Sequence, residues 1–289
     1  MNIEKNKGLA RYTTYQIGGA ADYFLEASSK DELLAGLEWA KNEEVPVFVF
    51  GGGSNLLFDD AGFRGLVIRV ADERIRVSGD EIVAGAGVKI AGLVNAAKSA
   101  SLTGLEGWNG LPGTVGGAVF GNAGCFGVES KDVLVAAEIY DGSVRSVGVD
   151  FFEYEYRNSK LKRMGGVVVL SATFKLRHGE ASEIEAKMKE TAISRVKKQP
   201  AGSSTGSFFK NTSAGAAGML IEQCGLKGKM LGRAQVSEYH ANFLLNKGGA
   251  KSADILALAD LIKSEVKAKF GIELEREVVY VPPAGNKNI

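Results

Sequence analysis

The 289-residue chain carries 35 basic and 34 acidic side chains, a formal charge of +1 that gives no global attraction to nucleic acid or an anionic membrane. Its length suits about two domains with real cores, and 45% hydrophobic with 24% charged residues excludes a disordered or fibrous class. Two cysteines, Cys125 and Cys224, without CxxC spacing, and two histidines, His178 and His240, encode neither a disulfide scaffold nor a metal centre.

Taken in chain order, Ala21–Ala27 reads as a strand leading into Ser29-Lys-Asp-Glu32, a capping box that opens a helix with Leu33, Leu34, Leu37 and Ala40 on one face. Val45–Phe50 is a short apolar strand running straight into Gly51-Gly52-Gly53-Ser54-Asn55. Strands at Gly65–Val70, Arg74–Ser78 and Glu81–Ala84 follow, then a helix over Val88–Ala100. The stretch Gly104–Gly127 holds nine glycines, a density that predicts structured loop and no regular element. Asp141-Gly142, between Glu138–Tyr140 and Ser143–Val147, suits a type I′ hairpin, and Val167–Leu176 is a further strand. A helix capped by Ser182 and running to Lys198 ends before the breaker Pro200-Ala-Gly-Ser-Ser-Thr-Gly206, which marks a domain boundary. Beyond it come a segment Ala214–Cys224 closed by Gly225, a strand Ala241–Asn246, a helix Ser252–Phe270 stopped by Gly271, and a last strand Glu273–Val281. The charged N-terminal residues lead into no long apolar run, so the chain reads as cytoplasmic, without membrane insertion.

The loop after Phe50 has a strand-then-glycine layout in which backbone N–H groups converge on a phosphate, although a plain tight turn has the same composition. GxGxxG fails, since Gly51 and Gly53 are followed by Leu56 and Gly85-Ala-Gly87 by Ile90, and GxxxxGK[ST] is absent, so Rossmann and P-loop readings lose. Small residues in the second loop, Gly113, Thr114, Gly116 and Gly117, let a large planar ligand and its pyrophosphate lie against main chain. Two separated glycine loops suggest a dinucleotide held without a Rossmann fold. Between Arg195 and Arg233 seven basic residues stand against Glu222 alone, an excess that suits either an anion pocket or a solvated face. Gly202-Ser203-Ser204-Thr205-Gly206 matches the GxSxG of serine hydrolases but lacks the preceding strand that such an elbow needs. Glu273, Glu275 and Glu277 alternate along the last strand, which puts the three carboxylates on one face without saying which meets a substrate.

Seven segments then occur in order: Thr13-Thr-Tyr-Gln-Ile-Gly-Gly-Ala-Ala21, Gly51-Gly-Gly-Ser-Asn-Leu56, Gly110-Leu-Pro-Gly-Thr-Val-Gly-Gly-Ala118, Asn122-Ala-Gly124, Tyr156-Arg-Asn-Ser159, Gly206-Ser-Phe-Phe-Lys-Asn211 and Leu274-Glu-Arg-Glu-Val278. Together they resemble the UDP-N-acetylenolpyruvoylglucosamine reductase family nearly end to end. The resemblance implies an α+β chain: an FAD-binding fold of the vanillyl-alcohol-oxidase type in two subdomains, followed by a C-terminal α+β substrate domain. Its expected limits are 1–70 for the first subdomain, completed by 273–289, then 71–198 for the second and 199–272 for the substrate domain. It implies noncovalent FAD, NADPH as reductant, and UDP-N-acetylglucosamine enolpyruvate as substrate, with no nucleic acid partner and no metal. The same carry-over makes Arg157, Ser207 and Glu277 catalytic, Ser207 as proton donor. It assigns Gly51, Gly52, Gly53, Ser54, Asn55, Gly113, Thr114, Gly116, Gly117 and Asn122 to the cofactor, and Tyr156, Lys210, Asn211 and Arg233 to the substrate. The short connection from Arg157 to Val167 is similar to the subclass without an extra lid. Met219, Tyr239 and Thr212 stand where relatives often carry Trp, Lys and Pro. A non-catalytic flavin or nucleotide-sugar binder would need the glycine loops without the Ser, Arg and Glu trio.

Overall fold

The computed structural model describes residues 1–285. Alternation of apolar residues builds the first sheet, in the order Ile3–Gly8, Ala20–Ala27, Phe63–Val70, Val47–Phe50, the last three strands mutually parallel. The helix Lys30–Asn42 makes the crossover. Ser29 caps it, its hydroxyl accepting from Glu32 N–H at 3.2 Å, while the Glu32 carboxylate reaches one residue further back and accepts from Ser28 N–H and Oγ at 2.8 and 2.7 Å. Those two hydrogen bonds hold the Glu32 pKa below its ordinary value.

The second sheet is antiparallel throughout, in the order Val144–Gly148, Leu134–Tyr140, Val168–Lys175, Glu81–Gly85, Ile75–Ser78. One core runs from Leu25, Leu33 and Ile68 through Leu93, Trp108 and Val119 to Phe174 and Ile184. A separate core, built around Phe208, Phe209, Leu220, Leu244, Leu258 and Ile262, lies under the helix Ser252–Phe270 and the small sheet Met230–Leu231, Ala234–Val236, Leu244–Asn246. The chain then returns: Val279–Val281 pairs in parallel with Leu56–Phe58, next to the first glycine loop.

Several sequence expectations need correction. The glycine-dense stretch is not all loop, because Val115–Gly121 is a helix whose residues Val115, Ala118 and Val119 are buried at helical spacing. Burial against the second sheet outweighs the helix penalty of its three glycines. Gly116 is required there, since a Cβ would fall 2.9 Å from that of Ala86. The Asp141 turn is not type I′: Tyr140 pairs with Val144, leaving a three-residue connection in which Gly142 alone has positive φ, +104°. The helix expected to be capped by Ser182 begins at Ala181 without a side-chain cap. The strand expected at Ala241–Asn246 forms only over Leu244–Asn246, and that at Glu273–Val281 only over Val279–Val281. Residues 273–278 have no continuous partner, being bridged once, Arg276 with Phe209. Residues 286–289 of the expected 273–289 segment lie outside the described residues.

The first glycine loop yields a stability prediction. Gly53 has φ +61° and a Cβ there would fall 2.1 Å from the Tyr12 carbonyl oxygen, whereas Gly79, at φ +59°, has nothing within 4 Å. Gly79→Ala should cost about 1 kcal/mol through backbone strain alone, and Gly53→Ala about 3 kcal/mol or more once the steric conflict is added. Thermal melts should separate the two by roughly 4–8 °C.

Candidate active site

Two glycine loops meet face to face. A Cβ on Gly51 would lie 2.0 Å from Thr114 Oγ1, and one on Gly52 would lie 2.9 Å from the Gly113 Cα. Backbone can approach backbone this closely only without side chains. Thr14 N–H donates to the Gly53 carbonyl at 3.2 Å, and Ile90 N–H to that of Gly113 at 3.1 Å, so each loop is pinned from behind. Ser54 Oγ makes a long contact to the Pro112 carbonyl, 3.4 Å. Thr114 Oγ1 is buried and without a hydrogen-bond partner, an unusual state for a hydroxyl.

Asn55 ties this loop to the far end of the chain. Its amide donates to the Glu277 carbonyl at 3.1 Å and its own carbonyl accepts from Val279 N–H at 3.0 Å. Glu277 N–H in turn donates to the Phe208 carbonyl at 2.8 Å, and Lys210 N–H to that of Glu275 at 2.9 Å. Segments 207–210 and 275–277 therefore lie side by side, with Ser207 bridged to Phe243 on its other flank.

Arg157 arrives from a different element, a tight turn in which Glu155 and Asn158 exchange backbone hydrogen bonds at 3.2 Å. The turn rests on the glycine-rich helix: Tyr154 hydroxyl and Ser159 Oγ donate to the Val119 and Phe120 carbonyls at 2.7 and 2.6 Å, groups that the helix end leaves open. Gly124 leaves room for the guanidinium, since a Cβ there would fall 2.9 Å from Arg157 Nη1. Arg157 Nε, itself buried, stands 3.0 Å from Glu277 Oε1 as an ion pair. Burial pushes the Glu277 pKa up from the ordinary carboxylate value against the opposing pull of Arg157, Lys162 and Lys210. Tyr156 is half exposed, with the Arg157 guanidinium 5.4 Å from its ring centre.

The geometry thus brings together Arg157, Glu277, Lys210 and the segment 207–210 beside the first glycine loop. It gives other expected site residues different surroundings. Asn122 is fully buried in a left-handed cap, both amide protons committed to Glu129 and the Glu155 carbonyl at 3.0 Å. Asn211 Oδ1 accepts from Ala217 N–H at 3.1 Å, opening the helix Ala217–Gln223. Arg233 lies in the exposed turn between Met230–Leu231 and Ala234–Val236, its N–H directed to Asp254. The basic run 195–233 does not converge: Lys227 pairs with Glu222, Lys210 with Glu275, and Arg195 Nη2 lies 3.0 Å from Cys125 Sγ. Sequence counting missed this because each partner except Glu222 is distant along the chain. Of the carboxylate row, Glu273 pairs with Lys267 and both Glu273 and Glu275 are exposed, leaving Glu277 as the screened one. At GxSxG, the preceding segment is a helix ending at Lys198, and His240 Nδ1 accepts from Asn242 N–H, so no serine triad forms there. Lys162, unnoticed within the Lys-Leu-Lys-Arg163 run that reads as a solvated face, turns inward toward Arg157. Among the described residues no acidic, His and Cys cluster could hold a metal, and no helix is long and apolar enough to cross a membrane.

Comparison with known proteins settles the class. The FAD binding domain model matches residues 21–147, and the model of the UDP-N-acetylenolpyruvoylglucosamine reductase C-terminal domain matches residues 197–281. The UDP-N-acetylenolpyruvoylglucosamine reductase of Rubrobacter xylanophilus is 43% identical over 276 residues, 94% of this chain and 93% of its own length. The chain belongs to the UDP-N-acetylenolpyruvoylglucosamine reductase family. The protein of the same name from Geobacter metallireducens is 42% identical over 283 residues, 96% of this chain and 94% of its own. The crystal structure of the Thermus caldophilus reductase superposes with a TM-score of 0.84 at 36% identity, covering 97% of this chain and 99% of that one. Membership makes the chain an FAD-dependent oxidoreductase of peptidoglycan precursor synthesis, with the α+β FAD-binding fold and C-terminal α+β unit that its motifs imply.

The residues present fit the cofactor. At the junction of the two loops the Thr114 hydroxyl is buried without a partner next to Gly51, an unsatisfied donor and acceptor beside side-chain-free backbone of the kind that a pyrophosphate would need. The raised Glu277 pKa has a stability consequence. Protonated Glu277 favours the fold at acid pH, and that contribution is lost as pH rises through its elevated folded-state value. The melting temperature of Glu277→Gln should therefore gain on that of the native chain as pH rises above the ordinary carboxylate value, as parallel melts would show.

Proposed function

We propose that the chain reduces the enolpyruvyl ether of UDP-N-acetylglucosamine enolpyruvate to UDP-N-acetylmuramate, with NADPH as the electron source and FAD bound noncovalently. The observation that carries this reading is the Arg157–Glu277 pair, a cation and a carboxylate of raised pKa, held beside the segment 207–210 and the first glycine loop. When bound, FAD supplies the hydride chemistry, taking two electrons from NADPH and passing them to the enolpyruvyl double bond.

The chain's own residues provide the rest. Gly51, Gly52, Gly53, Ser54 and Asn55, with Gly113, Thr114, Gly116 and Gly117, hold the cofactor through backbone and hydroxyl groups. Arg157 meets the negative charge that develops on the carboxylate-bearing carbon of the substrate. Ser207 Oγ delivers the proton to that carbon, completing the saturated lactyl ether. A serine hydroxyl is a weak acid, so Glu277, whose pKa burial raises, serves as its nearby proton reserve. Lys210 and Tyr156 face the anionic and apolar parts of the nucleotide sugar. In this reading 1–70 and 71–198 grip the cofactor while 199–272 carries the substrate.

Ser207→Ala separates the half-reactions. Reduction of the bound flavin by NADPH should be near normal in stopped flow, and re-oxidation by the UDP-sugar slowed by at least about a hundredfold, since a positioned general acid contributes ~10²–10⁴. Unchanged re-oxidation would assign the proton to another group. Lys210→Ala should weaken UDP-sugar binding by one to two decades at unchanged FAD content, because charge-assisted hydrogen bonds to a diphosphate contribute roughly 1.5–3 kcal/mol each. Calorimetry checks it.

A further inference from the structure

Lys162 lies on the short helix Lys160–Met164, which follows the Arg157 turn. Its neighbours on that helix behave as surface cations: Lys160 and Arg163 both pair with Glu153, each at 2.7 Å. Lys162 instead points inward. Among the described residues its ammonium has no carboxylate ion pair, and it donates to the main-chain carbonyl of Arg157 at 2.7 Å.

The bond falls at the most constrained residue of the turn. Arg157 has φ +54°, the left-handed region that any side chain with a Cβ disfavours. The Glu155 and Asn158 carbonyls are occupied by each other's N–H groups, and the Arg157 carbonyl is left to Lys162. A charge-assisted bond to that oxygen fixes the peptide plane following Arg157, and with it the direction in which the guanidinium leaves the backbone. The direction matters, because the guanidinium must reach Glu277 on a segment more than a hundred residues away along the chain. Lys162 also shares its surroundings with Arg157, Lys210, Glu277 and Glu275, and burial followed by Lys210 pushes its pKa below the ordinary lysine value. A cation kept in so unfavourable a place has a task there.

We propose that Lys162 is a positioning residue for Arg157, its ammonium holding the Arg157 carbonyl so that the left-handed turn keeps the guanidinium aimed at Glu277 and at the substrate carboxylate. The proposal rests on the reading of Arg157 given above, and its test uses one readout that does not. In FAD-loaded protein carrying ¹⁵N-labelled arginine, the Nε–H resonance of Arg157, assigned by its loss in Arg157→Lys, should shift in Lys162→Met and return toward its native position in Lys162→Arg. In stopped flow, Lys162→Met should slow re-oxidation of the reduced flavin by the UDP-sugar about 10- to 100-fold, the scale expected when a reacting group is displaced by about 1 Å, and leave reduction by NADPH unchanged. Lys162→Arg should recover most of that loss. An unshifted Arg157 resonance in Lys162→Met overturns the proposal, whatever the kinetics. So does equal slowing of both half-reactions with a lowered melting temperature, which would make Lys162 a general stabiliser. Failure of the native holoenzyme to be re-oxidised by the UDP-sugar would overturn the functional reading instead, and the resonance would still judge the position of Arg157.

Discussion

The contact between two stretches of bare backbone governs this molecule. Gly51 and Gly52 can lie against Thr114 and Gly113 only because they carry no Cβ, Gly51 making room for the Thr114 side chain and Gly52 for the Gly113 backbone, and that approach brings the end of the first sheet to the start of the glycine-rich helix. Everything chemical is then anchored to one of the two loops. Asn55 carries Glu277 from the first, and the carbonyls of Val119 and Phe120 carry the Arg157 turn from the second. The ion pair Arg157–Glu277 closes the circuit between them. Displacement of either loop is felt at both charged partners.

The site combines opposed electrostatic demands. Glu277 is screened enough from water for its pKa to rise, although Arg157, Lys162 and Lys210 all favour its ionised form. Desolvation and cation attraction pull in opposite directions, and burial wins. A carboxyl group in that balance keeps its proton to higher pH than an exposed glutamate such as Glu273, whose pKa the Lys267 contact lowers.

The parts of the fold legible in the sequence were those governed by local rules. The Ser29 cap, the Leu33 and Ala40 stripe and the Gly271 stop depend on neighbours a few residues away, and each forms as its composition implies. The helix Val115–Gly121 was illegible because three of its seven residues are glycines, and only burial of Val115, Ala118 and Val119 against a distant sheet stabilises it. Residues 273–278 alternate like a strand yet have no continuous strand beside them, since the periodicity of a side chain does not reveal whether a backbone partner exists. Within the site, Arg157, Ser207, Lys210 and Glu277 could be named from motifs. Lys162 could not, because its partner is a carbonyl oxygen, which no side-chain pattern encodes. The roles of Asn122 and Asn211 within the fold were hidden for the same reason, their amides being used on backbone groups.

The return of Val279–Val281 to Leu56–Phe58 has a consequence for the order of assembly. Asn55 and Glu277 are 222 positions apart, and among the described residues the short strand beside Asn55 has no other strand partner. A ribosome makes the first glycine loop long before the segment that completes it, and domains tend to fold as they emerge. During that interval the loop lacks Glu277 and the Asn55 anchor, so the nascent chain has its first sheet without a working centre. The Arg157–Glu277 pair and the Asn55 anchor form only when the late segment docks, which makes this charged centre one of the last features that the polypeptide acquires.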